Sequence, residues 1–209
     1  MCPEMIKAAA LVSEGGAKLQ ALIDCVYFNE IPDFELTVIS SDPNAYALTR
    51  AKNAGLACYV VEEAIFPNGA SFALALLNKL RDLDIDLIIL SDFFPAIGEG
   101  TARLYSGRVI GARPALIPAF EGLRDGAVCA AAIERGIKIT GATSYYANDS
   151  GGPGPIIAQK TVDVLPDDTP GSLRRRVMEE AEWRLLPEAV KLHCQGKLTI
   201  ENGRVMINP

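Results

Sequence analysis

The chain has 209 residues, of which 49% are hydrophobic and 22% charged, with a formal net charge of −6. That balance supports one substantial core and argues against a nucleic-acid-binding face, which needs clustered Lys and Arg. No apolar run approaches bilayer length, and the first residues enter a glycine loop rather than a cleavage site, so a cytoplasmic protein without membrane contact is expected.

Residues 6–12 are apolar apart from Lys7, as in a strand covered on both faces. Ser13-Glu14-Gly15-Gly16-Ala17-Lys18 follows, then Leu19, Leu22, Ile23 and Val26 at helical spacing. Strand, glycine turn and helix in succession open a doubly wound sheet, and the N–H groups of such a helix start can hold a phosphate. Lys18 favours an anion there and Glu14 opposes one. A second strand is expected at 34–40, a helix at 45–54 capped by Ser41-Asp-Pro-Asn44 and ended by Gly55, and a third strand at 57–61. Phe72, Leu76, Leu80 and Leu83 form the buried stripe of a helix over 70–83. A fourth strand at 87–90 stops at Ser91-Asp92-Phe93-Phe94-Pro95. This alternation predicts a Rossmann-like α/β fold, a doubly wound, mostly parallel twisted sheet with right-handed crossovers.

The next strand ends in Val109-Ile-Gly-Ala-Arg-Pro114, where Gly111 and Pro114 break an apolar run around the single charge Arg113. Such strand ends are where open α/β sheets hold ligands. A short helix is expected at 127–135 and strands at 139–146 and 156–164. The Gly/Pro-rich segment 147–154 between those strands is long enough to form a wall or lid. Thr169 and Pro170 start the longest helix, which is expected to bend near Pro187 and end around Gly196. On it, Trp183 reads as core, Arg174-Arg-Arg176 as a solvated face, and Asp167-Asp168 as a complement to the helix dipole. Asn202-Gly203 joins a terminal hairpin. One domain is expected, with a nucleotide-binding-like half over 6–110 and a second half over 111–209 holding the site, the long helix and the hairpin. The five scattered cysteines read as reduced thiols without metal-ligand spacing. His193 adjoins Cys194 on a helix, where neighbours point apart, so no Cys/His dyad is expected.

In this order and spacing, the chain from about residue 6 to 198 resembles the glycinamide ribonucleotide (phosphoribosylglycinamide) formyltransferases. The resemblance is carried by Leu19-Gln-Ala-Leu-Ile-Asp24, Val38-Ile-Ser40, Ala45-Tyr46, Arg50-Ala-Lys-Asn-Ala-Gly55, Gly141-Ala-Thr143, Gly154-Pro-Ile-Ile-Ala-Gln159 and Leu186-Pro-Glu-Ala-Val190. It implies a formyltransferase fold and transfer of a formyl group from 10-formyltetrahydrofolate to the amine of glycinamide ribonucleotide in purine biosynthesis, with no metal. In that family an Asn and a His in the motif Asn-x-His-Pro-Ser-Leu-Leu-Pro supply donors to the oxyanion. An Asp before the next strand tunes the His and helps move protons. By the resemblance these positions hold Gly111, Arg113 and Gly152, and a guanidinium shuttles no proton near neutral pH. Formyl transfer by the family mechanism is therefore expected to be absent or vestigial.

The resemblance also places Tyr145 where the family has a histidine, Lys18 at its phosphate-loop Asn and, less securely, Gly69 at an arginine near the substrate; a folate-loop arginine is replaced around Pro95. Glu182 matches the acidic residue of the long helix if one residue is inserted. Gly15, Gly16, Ala17, Lys18 and Glu182 are the implied phosphate and substrate side, and Asp92, Phe93 and Phe94 the implied lining of a folate slot. The expected partner is a small molecule, an anionic nucleotide or a reduced folate, and a homodimer is compatible with this. Two other readings stand beside a pseudoenzyme. One is an active transferase using Arg113, Tyr145 and Asp149. The other is a different enzyme in which Arg113, Arg124 and Lys18 converge on an anion.

Overall fold

Strands without polar alternation need cover on both faces, and the computed structural model of the chain, which describes residues 5–208, provides it. β1 (Ile6–Val12) lies between β2 (Phe34–Ser40) and β4 (Leu87–Leu90), with β3 (Ala57–Val60) beyond β2, all parallel. β5 (Val109–Arg113) joins β4 in parallel, and β6 (Ile139–Ala147) and β7 (Pro153–Asp163) continue antiparallel. The seven-stranded order is β3-β2-β1-β4-β5-β6-β7, and β8 (Leu198–Glu201) and β9 (Arg204–Ile207) form the separate hairpin.

Alternate residues of β1 feed two cores. Ala8, Ala10 and Val12 pack with α1 (Ala17–Tyr27) and α7 (Trp183–Cys194), whereas Ala9 and Leu11 pack with α3 (Gly69–Asp82). A third cluster joins α5 (Asp125–Glu134) and α6 (Pro170–Val177) to the antiparallel end of the sheet through Cys129, Ala142, Val162 and Leu173. α2 (Tyr46–Asn53) closes the early half. α4 (Glu99–Leu104) is absent from the sequence reading. It is only six residues long and enters from Gly98 at φ 80, with Thr101 and Ala102 alone buried, so it carries no periodic stripe. No helix among the described residues is long and apolar enough to cross a membrane. Cys25, Cys58, Cys129 and Cys194 are free thiols, and Cys2 lies outside the described residues.

Three local expectations are corrected. The segment 147–154 is a wall rather than a lid, a tight turn whose residues 150–152 line a cleft: Asn148 Oδ1 accepts from the N–H groups of Ser150 and Gly152, and β7 begins at Pro153. The long helix is interrupted not at Pro187, which lies buried inside α7, but by a π turn at Met178–Glu182. Trp183, expected in the core, is 37% exposed beside the groove between α1 and α7.

Of the arginine run only Arg175 is a solvated residue, since Arg174 and Arg176 are each paired with a carboxylate. Asp168 Oδ2 accepts from Arg176 Nη1 at 2.8 Å and from the Leu165 N–H at 2.8 Å, while Oδ1 takes Arg176 Nη2 and Ser172 Oγ. Arg176 Nη1 also donates to the Asp163 carbonyl, fastening the last turn of α6 to the end of β7. These bonds, led by Arg176 and opposed by burial, hold Asp168 well below the ordinary carboxylate value of 3.8. The folded chain then binds fewer protons here than the unfolded chain. The contribution is complete above pH 3.8 and is lost as pH falls below it. Asp168→Asn is expected to lower the melting temperature by several degrees at pH 7 and to flatten its fall between pH 5 and pH 3, read by thermal unfolding at each pH.

Candidate functional site

The strand order reverses between β1 and β4, so the connections leaving these strands diverge and open a crevice at their carboxyl ends. A cleft of about 820 Å³ lies there. The Ser13 N–H donates to the Asp92 carbonyl at 3.1 Å, Ser13 Oγ lies 2.7 Å from Ser41 Oγ, and the Phe94 N–H donates to Ser13 Oγ at 3.1 Å. These bonds tie the ends of β1, β2 and β4 together at the mouth of the cleft. Leu90, Phe93, Pro95 and Ile97 make its apolar wall, with Tyr145 and the turn through Gly152 lining it as well.

Lys18 leaves the first turn of α1 and is 2% exposed. Its ammonium lies 2.8 Å from Glu182 Oε1, 3.1 Å from Asp92 Oδ1 and 4.0 Å from Asp125 Oδ2, and donates to the Ala112 carbonyl at 2.9 Å. Burial works against the charge, but Glu182, then Asp92 and Asp125, outweigh it and hold Lys18 above its ordinary 10.5, so it is an ammonium at any physiological pH. Lys18 faces inward, onto carboxylates. The loop keeps its shape. Gly16 caps α1 at φ 67, where a Cβ would sit 2.7 Å from Ala47 Cβ, so only glycine fits. Arg50 Nε donates to the Gly15 carbonyl. Gly15, Gly16 and Ala17 do not line the cleft, although Glu14 does.

Glu182 is fully buried and binds Arg174 through its second oxygen. It is the last residue of the π turn, and a π turn is what one extra residue in an α-helix produces. The π turn separates α6 from α7.

Arg113 is 6% exposed and does not open onto the cleft. Its Nη2 donates to the carbonyls of Phe120 and Leu123 at 3.2 and 3.1 Å, and its Nε lies 3.7 Å from Asp125 Oδ1. Arg113 and Lys18 therefore share Asp125 rather than converge on an open anion seat; of the proposed trio Lys18 and Arg124 line the cleft and Arg113 does not. Desolvation raises Asp125 above its ordinary 3.8, with Lys18 acting in the opposite direction. Asp125 and Arg174 are the members the sequence reading missed.

Gly111 and Tyr145 are direct cross-strand partners on β5 and β6, and the Tyr145 ring covers the glycine. A Cβ at Gly111 would lie 2.8 Å from Tyr145 Cζ and Oη. An aromatic side chain laid over a glycine fills the space that a side chain would otherwise occupy. The register of β6 and β7 shifts beside Tyr145; a bulge at that point aims its side chain. Burial pushes the Tyr145 phenol up from its ordinary 10, so it stays protonated. Gly152 is different, since a Cβ there meets only the Asn148 amide at 3.7 Å, an ordinary contact. Asp149 is exposed and outside the cleft lining. Phe93 stacks on Phe72 at 6.2 Å, while Phe94 is 63% exposed at the rim. His193 Nδ1 lies 2.8 Å from Tyr146 Oη. Among the described residues no group of His, Cys, Asp and Glu is arranged to hold a metal ion.

The family model described as formyl transferase matches residues 6–190 of the chain. The chain is 29% identical to the phosphoribosylglycinamide formyltransferase of Haemophilus influenzae, over 95% of its own length and 92% of that protein. It is also 31% identical to the trifunctional purine biosynthetic protein adenosine-3 of Drosophila melanogaster, of which it spans 14%. The crystal structure of glycinamide ribonucleotide transformylase 1 from Symbiobacterium toebii superposes with a TM-score of 0.91 at 35% identity, covering 98% of this chain and 95% of that one.

The crowding at Gly111 gives a test of the site as built. Gly111→Asn is expected to destabilise by about 1–3 kcal/mol, the usual effect of overpacking. Adding Tyr145→His should recover most of that loss, and a denaturant double-mutant cycle measures the coupling. Gly152→Asp should be tolerated alone.

Proposed function

Because the chain belongs to the formyl transferase family, we propose that it is a cytoplasmic small-molecule-binding protein on the phosphoribosylglycinamide formyltransferase scaffold in which formyl transfer is lost or vestigial. One observation supports this reading: the buried cations at the cleft floor are committed to carboxylates, which leaves Arg124 as the one cation of the lining outside that network. Lys18, Arg113 and Arg174 face Asp92, Asp125 and Glu182. No guanidinium or ammonium among them is left to meet the phosphate of glycinamide ribonucleotide.

The chemistry of acyl transfer points the same way. An amine attacking a formyl group generates an oxyanion that needs positioned donors, and losing one donor lowers the rate by roughly 100- to 1,000-fold. Losing the general acid–base lowers it by about another 100- to 10,000-fold. In this reading Gly111 offers no side-chain donor, Arg113 is buried against backbone carbonyls, and Gly152 has no carboxylate. The apolar wall from Leu90 to Ile97 remains, which supports retention of a flat ligand such as a reduced folate. That ligand would supply the formyl group in the family's reaction; here Phe93 and Ile97 would hold it on the side away from the charged floor.

A second reading keeps a transferase on the same scaffold, favoured by the protonated Tyr145 phenol in the cleft lining. Purified protein assayed with 10-formyltetrahydrofolate and glycinamide ribonucleotide is expected to show no turnover above a heat-killed control, and Arg113→Ala should leave that result unchanged. Calorimetry should detect the reduced folate but not the ribonucleotide. Turnover at an ordinary enzyme's pace defeats the first reading, and its disappearance in Tyr145→Phe would establish the second.

A further inference from the structure

Four oxygens converge on one nitrogen at the cleft floor: Glu182 Oε1 at 2.8 Å, the Ala112 carbonyl at 2.9 Å, Asp92 Oδ1 at 3.1 Å and Asp125 Oδ2 at 4.0 Å from Lys18 Nζ. A primary ammonium has three N–H donors and no acceptor. Close carboxylate and carbonyl oxygens are what such a group needs, and a bulkier quaternary ammonium, lacking N–H donors, cannot use them in the same way.

The receptor side has anchors besides the lysine. Glu182 is anchored through its other oxygen by Arg174 and aimed by the π turn. Asp125 lies beside Arg113, which is itself fixed by the Phe120 and Leu123 carbonyls. Ala112 is held in the β5–β6 ladder, and Asp92 ends β4 with its carbonyl bound to the Ser13 N–H. One oxygen of the buried Glu182, Oε1, is directed at this point and has no hydrogen bond with good geometry, although the ammonium lies beside it. The seat also communicates with the cleft: the side chains of Asp92 and Asp125 are 23% and 42% exposed, and both line it together with Lys18.

We propose that the cleft floor is a binding site for a primary ammonium group and that Lys18 is its tethered occupant. The lysine stem threads from α1 to place a cation where a ligand's amine would otherwise enter from the cleft. The native chain is therefore closed to amines at its floor, and ligands bind above Lys18, against the apolar wall. This inference rests on the geometry of the seat alone and stands whether or not formyl transfer survives.

The test removes the tether and supplies the head group separately. Lys18→Ala should melt well below the native chain, and n-butylammonium chloride should raise its melting temperature by several degrees in a dose-dependent way, as a ligand of the folded state does. Neither n-butanol nor tetramethylammonium should do so, and the native chain should not respond to any of the three. Where Lys18→Ala is recovered only as insoluble protein, refolding with and without n-butylammonium gives the same reading through the yield of folded chain. The double variant Lys18→Met with Glu182→Gln, which fills the stem's space and neutralises the main partner, should fold and be indifferent to the amine. No rescue of Lys18→Ala, or equal rescue by n-butanol or tetramethylammonium, overturns the proposal.

Discussion

A lysine ammonium with no access to water has to be surrounded by opposite charge, and Lys18 dictates much of what lies at the carboxyl edge of this sheet. Two ions about 3 Å apart at an effective dielectric of 20 gain roughly 5 kcal/mol, and removing each from water takes several kcal/mol back. The net stabilisation of such a cluster is small. What it does impose is geometry, because deleting one member strands a buried charge at a penalty of about 3–5 kcal/mol. α1, the ends of β4 and β5, the start of α5 and the junction of α6 with α7 each contribute a charged group or carbonyl to this cluster. Their relative positions are consequently set by electrostatics as much as by apolar packing.

The framework was legible because its signals are local. Apolar runs of four to seven residues, periodic stripes and glycine stops mark the early strands and helices to within a residue or two of where they lie. The π turn was legible as an odd spacing ahead of Glu182, though not as a structure. The ion network was not legible, since it joins residues 18, 92, 113, 125, 174 and 182, and nothing in the neighbourhood of any one names its partner. Asp125 reads as an ordinary acidic residue at a helix start, and Arg174 is hidden in a run of three arginines. The inward direction of Lys18 was not legible for the same reason: beside a glycine loop a cation suggests an external anion, whereas the side chain is long enough to cross beneath the loop.

The three positions singled out by resemblance are not alike in the folded chain. At Gly111 the missing side chain has been replaced by a neighbour, since Tyr145 occupies the space from the adjoining strand. At Arg113 the larger side chain has turned inward and found backbone carbonyls. At Gly152 a side chain would make only ordinary contacts, with the Asn148 amide and Ser150 Oγ. The first two are closely fitted to their surroundings. The third leaves room at the rim of the cleft, beside the turn stapled by Asn148.

The widened turn at Met178–Glu182 has a consequence for the direction of its acidic side chains. Successive residues of an α-helix are turned by about 100°, as 3.6 residues per turn requires, and a wider turn resets that phase. Leu173 and Val177 are buried before it and Leu186, Ala189 and Val190 after it. Within the turn Glu179 and Glu180 are exposed while Glu182 is buried, so one short acidic segment serves both the surface and the interior.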